Sequence, residues 1–509
     1  MKHEKPPKSG TFKIALNKVA TIKRPIQQVG DKTYSAISIP LEGENGDIIN
    51  DPIIFDDTFQ ERYCDVGLEG HMPTSEAPFK LEVENLDQVD NGLSAAAYQK
   101  FVVEGEPLEK PNVCFNHMKD NIAHFVSFDG SFASQDKMSA MAACWAMSTY
   151  ITPVLDTVGY IWPTGEKGSG KSQCMKTIIE MCYLGTTLTS SSTYASVRNQ
   201  ADLGATLGFD DCENIKGMDS SKRELLLAGN TKGVTASVQV PGGRDGEWKT
   251  RKIDAFAPRA FTSIGLPDAT LGSRTIMVPL ARTSDTEKTR RKPSNKKDWL
   301  FGPEYVRDVT WLNMVKYLSQ IEAAKERVNN SSSVAGRDFD IFQGILSIAA
   351  WLETDHGEEG LLASMLEVME QYLAQRDENV LPSLEELLLE ALAESFRDIR
   401  GNTKRCPTSD IAEKITELCE AKDITDENLA SVDAQRVGSL MRWLGFQKHS
   451  TNGSNRSWVI DRKLLEQHCN AHGIHIAPPM ETPMPDWAFE ENRTKWEEDI
   501  TVPEDEKPW

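Results

Sequence analysis

A glycine-rich segment that ends in lysine and serine is the part of this 509-residue chain whose residue types and spacing most clearly indicate chemistry. Gly165 to Ser172 matches the phosphate-loop pattern G-x-x-x-x-G-K-[ST] at every defined position. In such a loop, backbone N–H groups curl around phosphates, Lys171 reaches the β- and γ-phosphates, and the Ser172 hydroxyl ligates Mg²⁺. The segment therefore predicts a site for ATP and Mg²⁺. The residues expected to contact the nucleotide are Gly165, Glu166, Lys167, Gly168, Ser169, Gly170, Lys171, Ser172 and Gln173.

Carboxylates follow a second apolar stretch, which runs from Ala205 and reaches Asp210 and Asp211. An apolar strand with acids at its end is weak evidence by itself, but it becomes strong a few dozen residues after a phosphate loop. We expect Asp210 to hold the Mg²⁺ together with Ser172, and Asp211 to polarise the attacking water. Glu213 is the alternative base, and the sequence does not decide between the two.

The phosphate loop requires a strand before it and a helix after it. The apolar run before Gly165 predicts a buried strand, and Gln173 to Tyr183 predicts a helix. A later strand ends in the hydroxyls of Thr262 and Ser263, either of which is placed to sense a γ-phosphate. Arg274 lies just before a further buried strand, a position that suits either a turn cap or a finger that reaches a neighbouring subunit's nucleotide.

Two alternating stretches around a glycine-rich turn predict a β-hairpin between Val234 and Phe256. Positive charge next to an aromatic stacking face favours contact with single-stranded DNA. A hairpin with a merely solvated charged surface is the alternative. The residues predicted to contact DNA are Arg244, Trp248, Lys249, Arg251 and Lys252.

The order of these motifs resembles the AAA+ ATPases of the pre-sensor-hairpin group, which includes the minichromosome maintenance and superfamily 3 helicases. The chain is most similar to helicase-like ATPases of phages and mobile elements, in which Trp-Pro-x-Gly leads into the phosphate loop as Trp162 to Gly165 does here. The likeness also includes the stretches 256–260, 266–270 and 272–274. It covers roughly residues 115–470 and is strongest from 158 to 281.

This resemblance implies roles for several residues and an assembly. Arg274 would be the arginine finger, Thr262 or Ser263 sensor 1, and Arg337 sensor 2. The working unit would be a ring, usually a hexamer, with DNA in a central channel. Most such ATPases carry glutamate where Asp211 stands, so we expect its shorter side chain to affect the rate of hydrolysis rather than nucleotide binding.

Patterning and composition predict an α/β protein, in which a P-loop AAA+ core is joined to a helical lid, a strand-rich N-terminal module and a C-terminal winged helix. The winged helix would bind duplex DNA or a protein. A basic connector at 282–297 is either a link or a DNA-facing segment. The predicted segments are 1–115 (N-terminal module), 116–298 (core), 299–400 (lid), 401–475 (winged helix) and 476–509 (acidic disordered tail).

Charge and cysteine content restrict the partners and the compartment. The net charge of −21 argues against whole-surface attraction to nucleic acid, so DNA contacts must come from local basic patches. Nine cysteines without a C-x-x-C pair indicate reduced thiols and a cytoplasmic protein. The uncharged run from Met138 to Leu155 contains polar residues and proline, which favours a buried helix over a membrane span. Tryptophans in the acidic tail suit a protein partner, although a solvating tail is the alternative.

Three functions compete at this point. The first is an ATP-hydrolysing DNA translocase, a replicative helicase of a phage or mobile element, which accounts for all the motifs. The second is an ATP-switched DNA-binding regulator without helicase activity, a hypothesis that Asp211 keeps open. The third is a P-loop kinase, which would leave the hairpin and Arg274 unexplained.

Overall fold

The computed structural model divides the chain into two compact units, Met1–Val380 and Leu381–Trp509. Of the predicted site residues, Asp211, Glu213 and Arg244 lie outside the described part of the chain, as does the acidic tail from 477 onward. The described residues are 19–43, 45–83, 86, 91–189, 191–210, 220–241, 248–263, 267, 269–331, 336–375, 384–396, 402–422, 424, 429, 432–449, 457–471, 474 and 476.

Short strands form the N-terminal region: β1 (Ala20–Ile22), β2 (Ile26–Val29), β3 (Lys32–Glu42), β4 (Ile48–Asp56), β5 (Arg62–Tyr63) and β6 (Phe79–Leu81). An antiparallel sheet has the order β2-β3-β4-β5, and β1 pairs in parallel with β6. Side chains alternate between the faces of β3, so that Tyr34 and Ala36 lie in a small separate cluster. Ile37, by contrast, joins the main hydrophobic cluster with Met118. The N-terminal strands are thus part of the first unit's core.

A parallel sheet lies at the centre of the first unit. Its five strands are β7 (Tyr160–Thr164), β8 (Thr186–Thr189), β9 (Leu207–Asp210), β12 (Arg259–Phe261) and β13 (Thr275–Pro279). Between β9 and β12 the chain forms a separate hairpin of β10 (Thr235–Pro241) and β11 (Trp248–Asp254). The strand order is β13-β7-β12-β9-β8. β7, β9, β12 and β13 are buried and mainly apolar, as expected of a parallel sheet covered on both faces, whereas the edge strand β8 is partly exposed. Because all strands point the same way, their carboxyl ends meet at one edge. The mixed α/β architecture is confirmed.

Helices pack around this sheet: α1 (Ala95–Ala97), α2 (Pro111–Phe125), α3 (Gln135–Ser148), α4 (Lys171–Ile179), α5 (Tyr194–Asp202), α6 (Ser220–Ala228), α7 (Ala269–Gly272), α8 (Thr286–Arg290), α9 (Pro303–Ser331), α10 (Arg337–His356) and α11 (Leu361–Gln375). In α3, every residue from Met138 to Ser148 is buried. Among the described residues, no helix is long and apolar enough to span a membrane. Leu312, Leu346 and Met365 of α9, α10 and α11 share one hydrophobic cluster with the sheet. A separate lid stays a prediction.

Gly159, just before β7, provides a test of this packing. A Cβ added there would lie 2.2 Å from the Ile341 carbonyl oxygen of α10, far inside contact distance. We expect Gly159→Ala to lower the free energy of unfolding by about 1–3 kcal/mol, because the helix must move away from the strand. Gly130→Ala is the matched control, since a Cβ there meets nothing within 4 Å. Urea denaturation of both variants measures the difference, and equal stabilities would contradict the close approach.

The second unit has its own core, built from α12 (Leu384–Ser395), β14 (Thr403–Pro407), α13 (Thr408–Ala421), α14 (Ala434–Trp443), β15 (Gln447–His449), β16 (Ser457–Asp461) and α15 (Arg462–Ala471). Its antiparallel sheet has the order β14-β16-β15. Leu388 and Leu392 of α12 are buried in the same cluster as Ile415 and Met441. The lid predicted at 299–400 includes α12, whereas the leucines of α12 pack in this unit. A boundary at residue 400 therefore falls after the unit's first helix. The winged-helix identity of this unit stays a prediction.

Candidate nucleotide-binding site

The glycine-rich loop joins β7 to α4 at the carboxyl edge of the sheet. Gly165, Gly168 and Gly170 have φ values of +145°, +84° and +93°, which favour glycine. A Cβ on Gly165 would lie 2.6 Å from the Leu280 carbonyl oxygen, so the loop passes too close to its neighbour for any other residue. Gly170 is also the N-cap of α4. The loop therefore ends at a helix N-terminus, whose unpaired N–H groups and positive dipole end attract anions.

Lys171 lies across this loop. Its Nζ donates hydrogen bonds to the carbonyl oxygens of Gly165 at 2.7 Å and Glu166 at 3.1 Å. The ammonium group is thus held at the mouth of the loop.

A cavity of about 430 Å³ opens at this edge of the sheet, within the size range of small-molecule sites. The loop after β7 and the carboxyl ends of β9 and β12 reach it, although they are separated by many residues in the sequence. Its walls are formed by Lys167, Gly168, Gly170, Lys171, Ser172, Gln173, Asp210, Thr262 and Ser263. The structure therefore brings the predicted loop, the predicted carboxylate and the predicted polar strand end to one place.

Asp210 is the centre of the polar contacts in this cavity. Its Oδ1 accepts hydrogen bonds from the Ser172 and Thr262 hydroxyls, each at 2.8 Å, and its Oδ2 lies 2.7 Å from the Lys176 ammonium. Burial raises the pKa of Asp210, but the bonds from Lys176, Ser172 and Thr262 outweigh burial and hold that pKa below its usual value. The carboxylate is therefore ionised at neutral pH.

Sequence reasoning did not identify Lys176. The phosphate-loop pattern ends at Ser172, and Lys176 follows four residues later on the helix. Residues at this spacing lie on the same helix face, so a lysine there must lie beside the serine hydroxyl. That spacing was the signal that could have identified it.

The two hydroxyls after β12 have different positions. Thr262 donates directly to Asp210, whereas Ser263 lines the cavity beside it. Of the two candidates for a γ-phosphate sensor, Thr262 is thus the one that contacts the carboxylate.

Gln173 links the cavity to the segment after β13. Its Nε2 donates to the carbonyl oxygens of Phe125 at 3.0 Å and Lys288 at 3.3 Å. The Lys288 ammonium in turn donates to the Val126 carbonyl oxygen at 2.9 Å, and Arg291 donates to the His124 carbonyl oxygen at 2.7 Å. These two cations of the basic connector are therefore used to fix the connector beside α2.

The residues present fit ATP and Mg²⁺. Gly168 and Gly170 line the cavity, and a Cβ at either would meet nothing within 4 Å, so the loop backbone there is open to a phosphate. Ser172 and Asp210 converge with hydroxyl and carboxylate oxygens, the donor types that Mg²⁺ prefers. Lys171 supplies an ammonium group at the same mouth.

Arg274 and Arg337 lie near the amino end of β13, at the edge of the sheet opposite the loop. Thr275, at the start of β13, pairs with Tyr160, and Pro279 pairs with Thr164 next to the loop. The intervening strand advances about 3.3 Å per residue, so roughly 16 Å separates Arg274 from the loop. The Arg274 Nε donates to the Asn230 Oδ1 at 3.2 Å, and the Arg337 Nη1 donates to Ser273 at 3.1 Å. The structure places these two arginines close together, but not in the cavity of their own chain.

The hairpin of β10 and β11 presents some of its predicted DNA contacts to solvent. Trp248 is 67% exposed, and Lys249 and Lys252 are exposed as well. Arg251 is different, because its Nη2 forms an ion pair with the Asp202 Oδ2 of α5 at 2.6 Å. Arg251 thus fastens the hairpin to the core, which the charge pattern alone did not reveal.

Comparisons with known proteins give only weak likenesses. No protein-family model and no curated protein matches the chain. Among solved structures, it is similar to a full-length MCM homologue from Methanopyrus kandleri, at 10% identity and a TM-score of 0.33 over 68% of this chain and 77% of that one. It is also similar to a JCV helicase (12%, 0.25, 49% and 70%) and to Drosophila ORC bound to DNA (10%, 0.17, 72% and 94%). TM-scores this low carry no functional argument, which must come from the cavity itself.

Proposed function

We propose that this chain is an ATP-hydrolysing DNA translocase of the AAA+ type, which works as a ring-forming replicative helicase of a phage or mobile element. The observation that carries the proposal is the meeting of the loop after β7 with the ends of β9 and β12 at one cavity. There Lys171 supplies an ammonium group, Asp210 a carboxylate and Thr262 a hydroxyl. This set of groups suits a triphosphate and its divalent cation.

The chain's own residues divide the work in this cavity. Lys171 and the loop N–H groups hold the β- and γ-phosphates, while Ser172 and Asp210 hold Mg²⁺. When bound, Mg²⁺ supplies positive charge to the phosphate oxygens. Thr262 orients Asp210 and is the better-placed candidate for sensor 1, with Ser263 beside it. Asp211 or Glu213 would orient the attacking water.

The position of Arg274 and Arg337, at the edge of the sheet far from the loop, supports a nucleotide site that two subunits share. Neither Arg274 nor Arg337 lines the cavity of its own chain. In a closed ring the same edge of every subunit faces a neighbour, so these arginines would complete the neighbour's site. A hexamer is the ring that the family resemblance favours.

The proposal is tested by ATP hydrolysis and strand displacement with purified protein. We expect phosphate release to rise when single-stranded DNA is added, and a labelled strand to be displaced from a partial duplex. Phosphate transfer to a small molecule would instead support a kinase. Binding of ATP and DNA without hydrolysis would favour the ATP-switched regulator, which the short side chain of Asp211 keeps as the second candidate.

The exposed face of the hairpin leads to a DNA-binding prediction. Trp248 and Lys252 lie on the same face of β11, because side chains alternate along a strand. We expect Trp248→Ala combined with Lys252→Ala to weaken binding of single-stranded oligo-dT about tenfold, since one stacking platform and one phosphate contact are lost. Fluorescence anisotropy measures the affinity.

A control variant and a second measurement test whether the effect is specific to the hairpin. Lys80→Ala removes an exposed strand lysine elsewhere and is expected to bind DNA like the wild type. Basal ATP hydrolysis should persist in the hairpin double variant, because Arg251 still fastens the hairpin to Asp202. Unchanged oligo-dT affinity in that variant would leave the hairpin as a solvated surface.

A further inference from the structure

Lys176 occupies a position on α4 that the phosphate-loop motif does not define. It lies one helical turn after Ser172, and both side chains reach Asp210 from the same helix face. Ser172 and Thr262 share the Oδ1 atom, and the Lys176 ammonium takes the Oδ2 atom at 2.7 Å. Both oxygens of this carboxylate are thus engaged by groups of the protein.

Exposure shows which partner of this ion pair is able to move. The Lys176 side chain is 44% exposed and the Asp210 side chain only 21%. A lysine with a long, half-exposed stem can leave the carboxylate without disturbing the core, whereas Asp210 is fixed by two hydroxyls. The ammonium of Lys171, which lines the cavity, is held by loop carbonyl oxygens instead. The two lysines therefore have separate partners, one on the loop and one on the carboxylate.

We infer that Lys176 competes with the divalent cation for Asp210 and so sets the affinity of the site for that cation. This inference rests on the proposed nucleotide site. Lys176 must release Oδ2 before Asp210 is fully available to a metal ion, and its positive charge repels a second cation at the same carboxylate. Lys176 is thus a positioning residue that acts through Asp210: it occupies Oδ2 when no metal is bound and weakens cation binding.

Direct measurement of Mn²⁺ binding tests the inference without relying on activity. Free Mn²⁺ is followed by electron paramagnetic resonance as it is titrated into protein that contains ADP. We expect Lys176→Met, which keeps the stem but removes the charge, to bind Mn²⁺ roughly 3- to 10-fold more tightly than the wild type. Lys176→Gln should change the affinity in the same direction, and Lys176→Arg should stay near the wild type because it keeps the charge.

A matched control removes a lysine from an ion pair elsewhere in the same unit. Lys119 pairs with Asp136 at 3.2 Å, and Lys119→Met should leave Mn²⁺ affinity unchanged. Equal or weaker Mn²⁺ binding in both Lys176→Met and Lys176→Gln would overturn the inference and leave Lys176 a purely structural role. If the wild type binds neither ADP nor Mn²⁺, the proposed nucleotide site fails as well, and the two failures are thereby distinguished.

Discussion

Lys171→Ala is expected to abolish ATP hydrolysis, with a loss on the order of 100-fold or more. The Lys171 ammonium lies at the mouth of the loop. In the proposed site it would face the charge that develops on the β- and γ-phosphates. Alanine removes that charge in a partly enclosed cavity, where an ion is worth more than it is in water. Phosphate release at saturating ATP and single-stranded DNA measures the loss, and calorimetric titration of ATP shows how much of it is lost binding.

Stability has to be separated from function in this variant. Lys171 also bonds two carbonyl oxygens of its own loop, so alanine is expected to loosen the loop slightly. Thermal unfolding without nucleotide should show a midpoint close to that of the wild type, because the group is at the surface of the cavity. Lys80→Ala, an exposed lysine on β6, should hydrolyse ATP normally. Hydrolysis by Lys171→Ala at the wild-type rate would exclude this cavity as the ATP site.

Local spacing explains what the sequence could predict about this cavity. The loop is contiguous, and its glycines, lysine and serine are fixed by the backbone shape that surrounds a phosphate, so nine neighbouring residues sufficed. Asp210 and Thr262 follow apolar strands, and parallel strands place their carboxyl ends at one edge. These contacts follow from periodicity together with one topological rule.

Other contacts depend on partners that the sequence does not place. Arg251 appeared as a DNA-binding residue because its charge lies on a hairpin, but its partner Asp202 is 49 positions away. Lys176 lies on α4, whereas its partner Asp210 lies at the end of β9. The leucines of α12 show that one helix face is buried, but amphipathic spacing does not specify which of two cores receives it. In each case tertiary packing chooses the partner.

Arg274→Ala is expected to inactivate the assembly nearly as strongly as Lys171→Ala, although the two residues lie at opposite edges of the sheet. An arginine that stabilises charge on a neighbour's γ-phosphate contributes on the order of 1,000-fold or more to hydrolysis. Within its own chain, Arg274 donates to the Thr270 carbonyl oxygen and to Asn230, and it lies beside Ser273 and Arg337. Asn230→Ala is the matched control, because it removes that partner and keeps the guanidinium. It should retain most of the hydrolysis if Arg274 acts on a neighbour.

Mixing the two inactive variants then tests whether the site is shared. In the proposed ring, each intact site would require Lys171 from one subunit and Arg274 from the next. In an equal, randomly assembled mixture of Lys171→Ala and Arg274→Ala subunits, roughly one quarter of the interfaces meet this requirement. We therefore expect hydrolysis to return to about that fraction of the wild-type rate if the sites act independently, and less if they must fire together. A mixture as inactive as its components, or full activity in a strictly monomeric wild-type fraction, would contradict a shared site. Restored activity would require the edge that carries Arg274 to face a neighbour's loop.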